Sequence, residues 1–242
     1  MKAMIFAAGL GTRLRPLTDD RPKALVEVLG KTLLQHAIEH LKRFGITDIV
    51  VNIHHFGDKV LDVLEQHQNF ACNIIISDER AVLLETGGGL LKAKAHFKGE
   101  EALVIYNVDV LSNIDLVKMH RYHQAHQALA TLATRSRESS RYLLFNEQQE
   151  LCGWTNTNTK AIRHVRPANS IQQYAFSGIH IINPALLDFI TQEGKFSITE
   201  TYLDLASEHK IIAYPHDQDY WFDVGKPERL AAAASFIEKN IR

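Results

Sequence analysis

Short apolar runs alternate with stretches of helical spacing through the first 110 residues, and this alternation limits the fold more than any other feature. Met4 to Ala8, Ile49 to Ile53, Ile74 to Ile76 and Ala102 to Tyr106 read as buried strands. Between them, Leu33, Leu34, Ala37, Ile38, Leu41 and Phe44 recur at helical spacing, with Gly45 placed as a C-cap. Val60, Leu61, Val63 and Leu64 mark a second helix, and Gly88 to Phe97 opens a third. Strands separated by helices of this length predict βαβ units and a Rossmann-like, mostly parallel α/β sheet flanked by helices. Ligands of such sheets gather beyond the carboxyl ends of the strands. After about residue 128 the spacing changes. Leu129–Thr134, Tyr142–Phe145, Ile162–Val165 and Tyr174–Ile182 read as strands with shorter connections, which predicts a mixed extension with a small antiparallel part. Leu230 to Ile241, with Ala231 to Ala234 inside it, reads as a closing helix. The expected organisation is one domain, 1–242, with the half 128–242 lending walls to a site built on the half 1–127.

The segment after the first strand carries the chemistry. Ala7-Ala8-Gly9-Leu10-Gly11-Thr12-Arg13-Leu14-Arg15-Pro16-Leu17-Thr18 leads to Arg21-Pro22-Lys23. Gly9 and Gly11 let the backbone turn its N–H groups onto a ligand. Arg13, Arg15 and Lys23 add positive charge, a combination suited to polyphosphate. Leu14 stands where a dinucleotide fingerprint needs its third glycine, and no G-x-x-x-x-G-K-[ST] loop is present. Net charge is −1, which gives no broad basic face for nucleic acid. No apolar run approaches the ~20 residues of a membrane helix. The N-terminal run reads as a strand and not as a signal peptide. Cys72 and Cys152 form neither a metal-type pair nor a disulfide framework. A cytoplasmic enzyme without nucleic-acid or membrane partners is expected.

The ordered run Gly9 to Thr18, with Pro22-Lys23, resembles the G-x-G-T-R-x-x-P-x-T…P-K signature of sugar-1-phosphate nucleotidyltransferases. The similarity extends over nearly the whole chain. It is greatest to the short bacterial mannose-1-phosphate guanylyltransferase-like and N-acetylmuramate-1-phosphate uridylyltransferase-like members, which lack the C-terminal β-helix of longer relatives. The resemblance implies that a nucleoside triphosphate and a sugar 1-phosphate become a nucleotide-sugar and pyrophosphate. It places the nucleotide on Ala8, Gly9, Gly11 and Thr12, the leaving pyrophosphate on Arg13, and the attacked phosphate on Lys23. Asp109 in Tyr106-Asn107-Val108-Asp109, and Asp223 in Trp221-Phe222-Asp223-Val224-Gly225-Lys226-Pro227-Glu228, stand where relatives hold Mg²⁺. Gly87 and Gly88, in Glu85-Thr86-Gly87-Gly88-Gly89, are expected against the nucleobase, with Glu85 on sugar hydroxyls. Asn107 and Gly178 are expected on the sugar-phosphate side.

Several positions depart from the pattern or allow a second reading. Lys226 replaces the usual threonine, and Val108 replaces a glycine beside the metal. The E-K-P element, whose lysine grips the sugar phosphate in many relatives, is missing; Arg166 in His164-Val165-Arg166-Pro167 is the expected substitute. Taken alone, Asp109 could cap a helix and Gly178 could mark a strand bulge. Arg141 reads as a solvated arginine, His54-His55 stays open, and His120, His123 and His126 read as a solvated helix face. Other functions remain in view: cytidylyl transfer to a non-sugar phosphate such as phosphocholine, a regulatory nucleotide-binding subunit, and, more remotely, a nicotinamide oxidoreductase. Strand edges are compatible with a homodimer.

Overall fold

A computed structural model describes residues 1–240. Strand β1 (Lys2–Phe6) is the parallel centre of the molecule, and Ala3, Met4 and Ile5 in it are wholly buried. A short hairpin, β2 (Glu27–Val28) and β3 (Lys31–Thr32), leads into α1 (Leu33–Arg43). Thr32 caps this helix by accepting the Gln35 N–H at 3.1 Å. Gly45 follows the C-cap with φ 74°, the left-handed geometry that the sequence anticipates there. Then come β4 (Asp48–Ile53), α2 (Gly57–Gln66), β5 (Asn73–Asp78) and α3 (Glu85–Lys92). The expected third helix over Gly88–Phe97 therefore starts earlier and breaks at Ala93, with Lys94–Phe97 forming a separate 3₁₀ turn. Strand β6 (Leu103–Asn107), the short β7 (Val110–Ser112) and α4 (Leu116–Ala125) close the first half.

The second half contributes β8 (Ala130–Arg135), β9 (Arg141–Phe145), β10 (Leu151–Asn156), β11 (Ala161–His164) and β12 (Gln172–Ile182). It ends with α5 (Ile198–Leu205), β13 (Ile211–Pro215), β14 (Trp221–Asp223) and α6 (Pro227–Asn240). Ile241 of the expected closing helix lies outside the described residues. One mixed sheet of ten strands runs β11-β10-β9-β12-β6-β1-β4-β5, with β8 and β13 joined beside β12. The β6-β1-β4-β5 half is parallel, as is β8 with β13, and the remaining pairs are antiparallel. Helices cover both faces through two apolar clusters, one around α1 and the other around α3 and α5. Cys72 and Cys152 are both free. No helix among the described residues is long and apolar enough to cross a membrane.

Eleven-residue β12 joins the two halves, bonding β6 along one part and β9 along another. Its register against β8 slips between Phe176 and His180, and Gly178 sits in the slip with φ 75°. The bulge reading of Gly178 is therefore correct, and the bulge presses it against Asn107: a Cβ there would lie 2.8 Å from Asn107 Nδ2.

Four histidines are buried in this framework, which the reading of His123 as solvated did not foresee. His40, His123, His180 and His216 are each no more than 4% exposed. Their hydrogen bonds go to uncharged groups: His40 meets the Tyr106 hydroxyl, His123 the Thr131 hydroxyl at 2.9 Å, His180 the Tyr202 hydroxyl, and His216 the Ser177 hydroxyl at 2.8 Å, with the Asp219 carboxylate 3.7 Å from its other ring nitrogen. Burial depresses their pKa values from 6.5 to about 4, about 4, about 3 and about 4 respectively. Each must stay neutral to remain folded. Below the unfolded value of 6.5 the unfolded chain binds more protons, so stability is full above that pH and is lost as pH falls through the folded values. Shifts of this size amount to at most about 3 kcal/mol for each histidine near 4 and about 5 kcal/mol for His180. Thermal melts should therefore show a midpoint that is steady near neutrality and drops steeply between pH 6.5 and pH 4; a flat midpoint across that window would contradict the assignment.

Candidate active site

The loop after β1 is set by a buried polar network. Asn52, the fifth residue of β4, accepts the N–H of Ala7 at 2.7 Å and of Ala8 at 3.2 Å on its side-chain oxygen. Its amide donates to Glu79 Oε1 at 2.7 Å, and Glu79 Oε2 accepts the Leu84 N–H at 3.1 Å. Glu79 is wholly buried. One carboxylate thus ties the ends of β1 and β4 to the start of α3. The loop then turns at Gly11 (φ 64°), where a Cβ would meet Thr18 and Lys23 at 3.0 Å. The Thr18 hydroxyl donates to the Gly11 carbonyl at 2.9 Å. Thr12 opens the exposed 3₁₀ turn Thr12–Leu14 that presents Arg13.

A cleft of ≈ 350 Å³ opens above the β1 and β6 carboxyl ends. Ala8, Gly9, Lys23, Glu85, Asn107 and Asp109 of the sequence-predicted set line it. Lys23 pairs with Asp109 Oδ2, both side chains being less than a fifth exposed. Asp109 caps no helix; α4 is capped by Asp115, which accepts the Lys118 N–H at 2.9 Å. Val108 lines the cleft beside Asp109, as its replacement of glycine suggests.

Asp223 reaches the same place from the other end of the chain. Strand β14 pairs antiparallel with β7, with Asp223 opposite Val110, and the Val224 N–H donates to the Asp109 carbonyl at 2.9 Å. Asp223, on β14, is therefore brought beside Asp109, in the turn between β6 and β7. Gly225 lies among the charged groups: a Cβ there would be 2.8 Å from Asp223 Oδ1, 2.9 Å from Arg13 Nη2 and 3.4 Å from Lys23 Nζ. Glycine adds no side chain at that convergence. Arg15 stays outside it, on Asp19 at 3.4 Å.

Two carboxylates, one of them paired with an ammonium, form a centre suited to a cation. All donors are hard oxygens, which suits Mg²⁺ taking its remaining ligands from water and phosphate. No cluster of three or more His, Cys, Asp or Glu residues arranged for a metal occurs among the described residues, and a magnesium site that shares its ion with phosphate needs no such cluster.

Other expected residues stand elsewhere. A Cβ on Gly87 would lie 2.3 Å from the Phe196 ring, and one on Gly88 would lie 2.1 Å from the Gly194 carbonyl oxygen. The Gly87 N–H donates to the Phe196 carbonyl at 2.9 Å, and the Thr86 hydroxyl accepts the Ile198 N–H at 3.0 Å. These glycines are small because the 194–198 segment packs on α3. Arg166 is also removed from the site. It pairs with Glu150, donates to the Ala206 and His209 carbonyls, and lines a separate surface hollow. His54 donates to the Glu79 carbonyl at 2.7 Å and supports the network from outside the cleft.

Comparison with known proteins matches this geometry. The family model for nucleotidyl transferases matches residues 2–240. The chain is 34% identical over 244 residues to the N-acetylmuramate alpha-1-phosphate uridylyltransferase of Caulobacter vibrioides, covering 98% of this chain and 97% of that relative. It is 29% identical to mannose-1-phosphate guanyltransferase 2 of Candida glabrata, covering 100% of this chain and 66% of the longer relative. Among solved structures, HddC from Yersinia pseudotuberculosis complexed with GMP-PN superposes with a TM-score of 0.76 at 20% identity, covering 98% of this chain and 99% of the other, a likeness of fold.

Asn52→Leu removes the acceptor of two loop N–H groups and strands the buried Glu79 carboxylate. We expect a loss of about 2–5 kcal/mol in urea unfolding together with weaker nucleoside triphosphate binding by calorimetry. Parent-like stability in that variant would show that the network does not hold the loop.

Proposed function

This chain belongs to the nucleotidyl transferase family, and we propose that its reaction joins a sugar 1-phosphate to a nucleoside triphosphate, giving a nucleotide-sugar and pyrophosphate. The observation that carries this reading is the convergence of Arg13, Lys23, Asp109 and Asp223 around Gly225 at the cleft. Bringing a phosphate dianion to a triphosphate sets anion against anion, and a site for that chemistry must supply fixed positive charge.

In the proposed reaction a phosphate oxygen of the sugar ester attacks the α-phosphorus. The new P–O bond forms as the bond to the β-phosphate oxygen breaks, and pyrophosphate departs with the electron pair. The attacking monoester has a second pKa of about 6, so it is already a nucleophile near neutrality and needs no general base. Ala8, Gly9, Gly11 and Thr12 hold the nucleotide through backbone N–H groups. Lys23 neutralises the attacked phosphate, and Arg13 takes charge developing on the leaving pyrophosphate. Asp109 and Asp223 would hold Mg²⁺, which supplies Lewis-acid neutralisation of phosphate oxygens when bound. Lys23 then exchanges part of its contact with Asp109 for phosphate. Glu85 and Asn107 line the cleft where sugar hydroxyls and the sugar phosphate would lie, and Gly178 supports Asn107 from behind. On this reading residues 1–242 work as one domain, the first 127 binding nucleotide and the rest walling the second substrate. The sheet edges β5 and β11 fit a homodimer.

The test is a grid of UTP, GTP, CTP, ATP and dTTP with Mg²⁺ against sugar 1-phosphates and phosphocholine, read as pyrophosphate release. N-acetylmuramate 1-phosphate with UTP is the first pair, because relatives named for that reaction match at 34% and 32% identity over nearly the whole chain. We expect release that requires one sugar 1-phosphate. Release with phosphocholine alone would overturn the substrate class, and triphosphate binding without release from any pair would favour a regulatory subunit.

A further inference from the structure

Beyond Ser197, which borders the cleft, lies a second cavity of ≈ 460 Å³ that Ser197 also lines, together with Arg137, Arg141, Tyr142, Trp154 and Phe176. Any ligand spanning the two must pass the junction between them. Arg137 lines the second cavity. Its guanidinium carbon lies 4.6 Å from the centre of the Trp221 ring. Trp221 and Asp223 are two residues apart on β14, so their side chains share a face. Trp221 is fixed in turn by its indole N–H, which donates to the Ser177 carbonyl at 2.8 Å. The stack holds Arg137 beside the carboxylate of Asp223, and that carboxylate is the foremost charge opposing the effect of burial on the guanidinium.

Arg137 is poorly satisfied where it stands. Nη1 and Nη2 reach only the carbonyls of Glu138 and Phe176, each at 3.2 Å, long for a charged donor. Its Nε is buried with no partner, and Arg137 makes no salt bridge among the described residues. Arg163 and Arg166, in contrast, both hold carboxylates. A partly buried guanidinium with idle donors, held by an aromatic face between a metal-suited carboxylate and a hollow, matches the two-oxygen geometry of a phosphate ester. We propose that Arg137 grips the phosphate of the second substrate and aims its oxygen at the α-phosphorus, with the sugar lying in the cavity of Trp154 and Phe176. This rests on the reading that the second substrate is a phosphate ester. It also supplies the cation that Arg166 does not provide.

The experiment compares Arg137→Gln and Arg137→Lys with the parent on the pair found in the grid, and measures triphosphate affinity separately by calorimetry without sugar phosphate. For the glutamine variant we expect KM for the sugar phosphate to rise at least about tenfold and kcat to fall at least about tenfold, with triphosphate affinity within about twofold. The lysine variant should recover part of kcat. Parent-like KM and kcat, or triphosphate affinity lost in step with them, would overturn the assignment. If the glutamine variant melts early, the lysine variant decides by the same KM criterion. If the parent turns over no pair, the substrate reading fails by itself. Inorganic phosphate titrated against tryptophan fluorescence, with triphosphate and Mg²⁺ present, then tests Arg137 alone. A saturable change in the parent that vanishes in Arg137→Gln supports the grip; no change in the parent, or the same change in both proteins, overturns it.

Discussion

The ion pair between Lys23 and Asp109 is the interaction around which the cleft is arranged. A lysine from the loop after β1 and an aspartate from the end of β6 meet because those strands are parallel neighbours, with Phe6 opposite Asn107 in the ladder. Their charges alone would make a structural bridge of modest value. Asp223 and Arg13 approach the pair at Gly225, Asp223 being brought there by β14 docking against β7. The C-terminal third of the chain thus completes a site that the N-terminal loop begins. Gly225 allows the closure by adding no atom where the four charged groups converge.

Positioning comes from a second, uncharged-to-charged relay beneath the cleft. Asn52 holds the first N–H groups of the loop, and Glu79 holds Asn52 and the start of α3. Burying a carboxylate is costly unless its oxygens are bonded, and here both oxygens are. The arrangement fixes the loop backbone before any nucleotide arrives. That preorganisation is what electrostatic catalysis of phosphoryl transfer requires. The second cavity shares Ser197 with the cleft, so the two hollows adjoin at that residue.

Residues whose role is local to a strand end were legible in the sequence. The loop from Ala8 to Thr12, with Arg13 and Lys23, follows a strand directly, and Asp109 follows another, so the strand pattern located these segments while the family resemblance suggested their roles. Residues whose role depends on distant packing were not. Glu79 lies in Asp78-Glu79-Arg80, which looks like a charged surface turn, yet it is wholly buried. The three glycines after Thr86 suggest close approach by a ligand; in the structure Gly87 and Gly88 pack against the chain's own 194–196 segment, and Gly89 against Glu79 and Asn52. Arg166 had the right neighbour in sequence, a proline, and the wrong neighbours in space. Arg137 carried no signal of its own, because the three-residue strand that brings Trp221 to it is too short for periodicity to reveal. Its one readable trace was the W-x-D spacing, which ties a stacking surface to a metal-suited carboxylate two residues later.

The most direct test of the central claim is a double-mutant cycle on Asp109 and Asp223, read as the Mg²⁺-dependent turnover of Asp109→Asn, Asp223→Asn and the double variant. Two carboxylates serving one cation act as a unit, so each single variant should lose at least about a thousandfold and the double variant should be little worse than either. Turnover near the parent's in either single variant, with unchanged magnesium dependence, or losses that multiply in the double variant, would contradict a shared centre at the ends of β6 and β14.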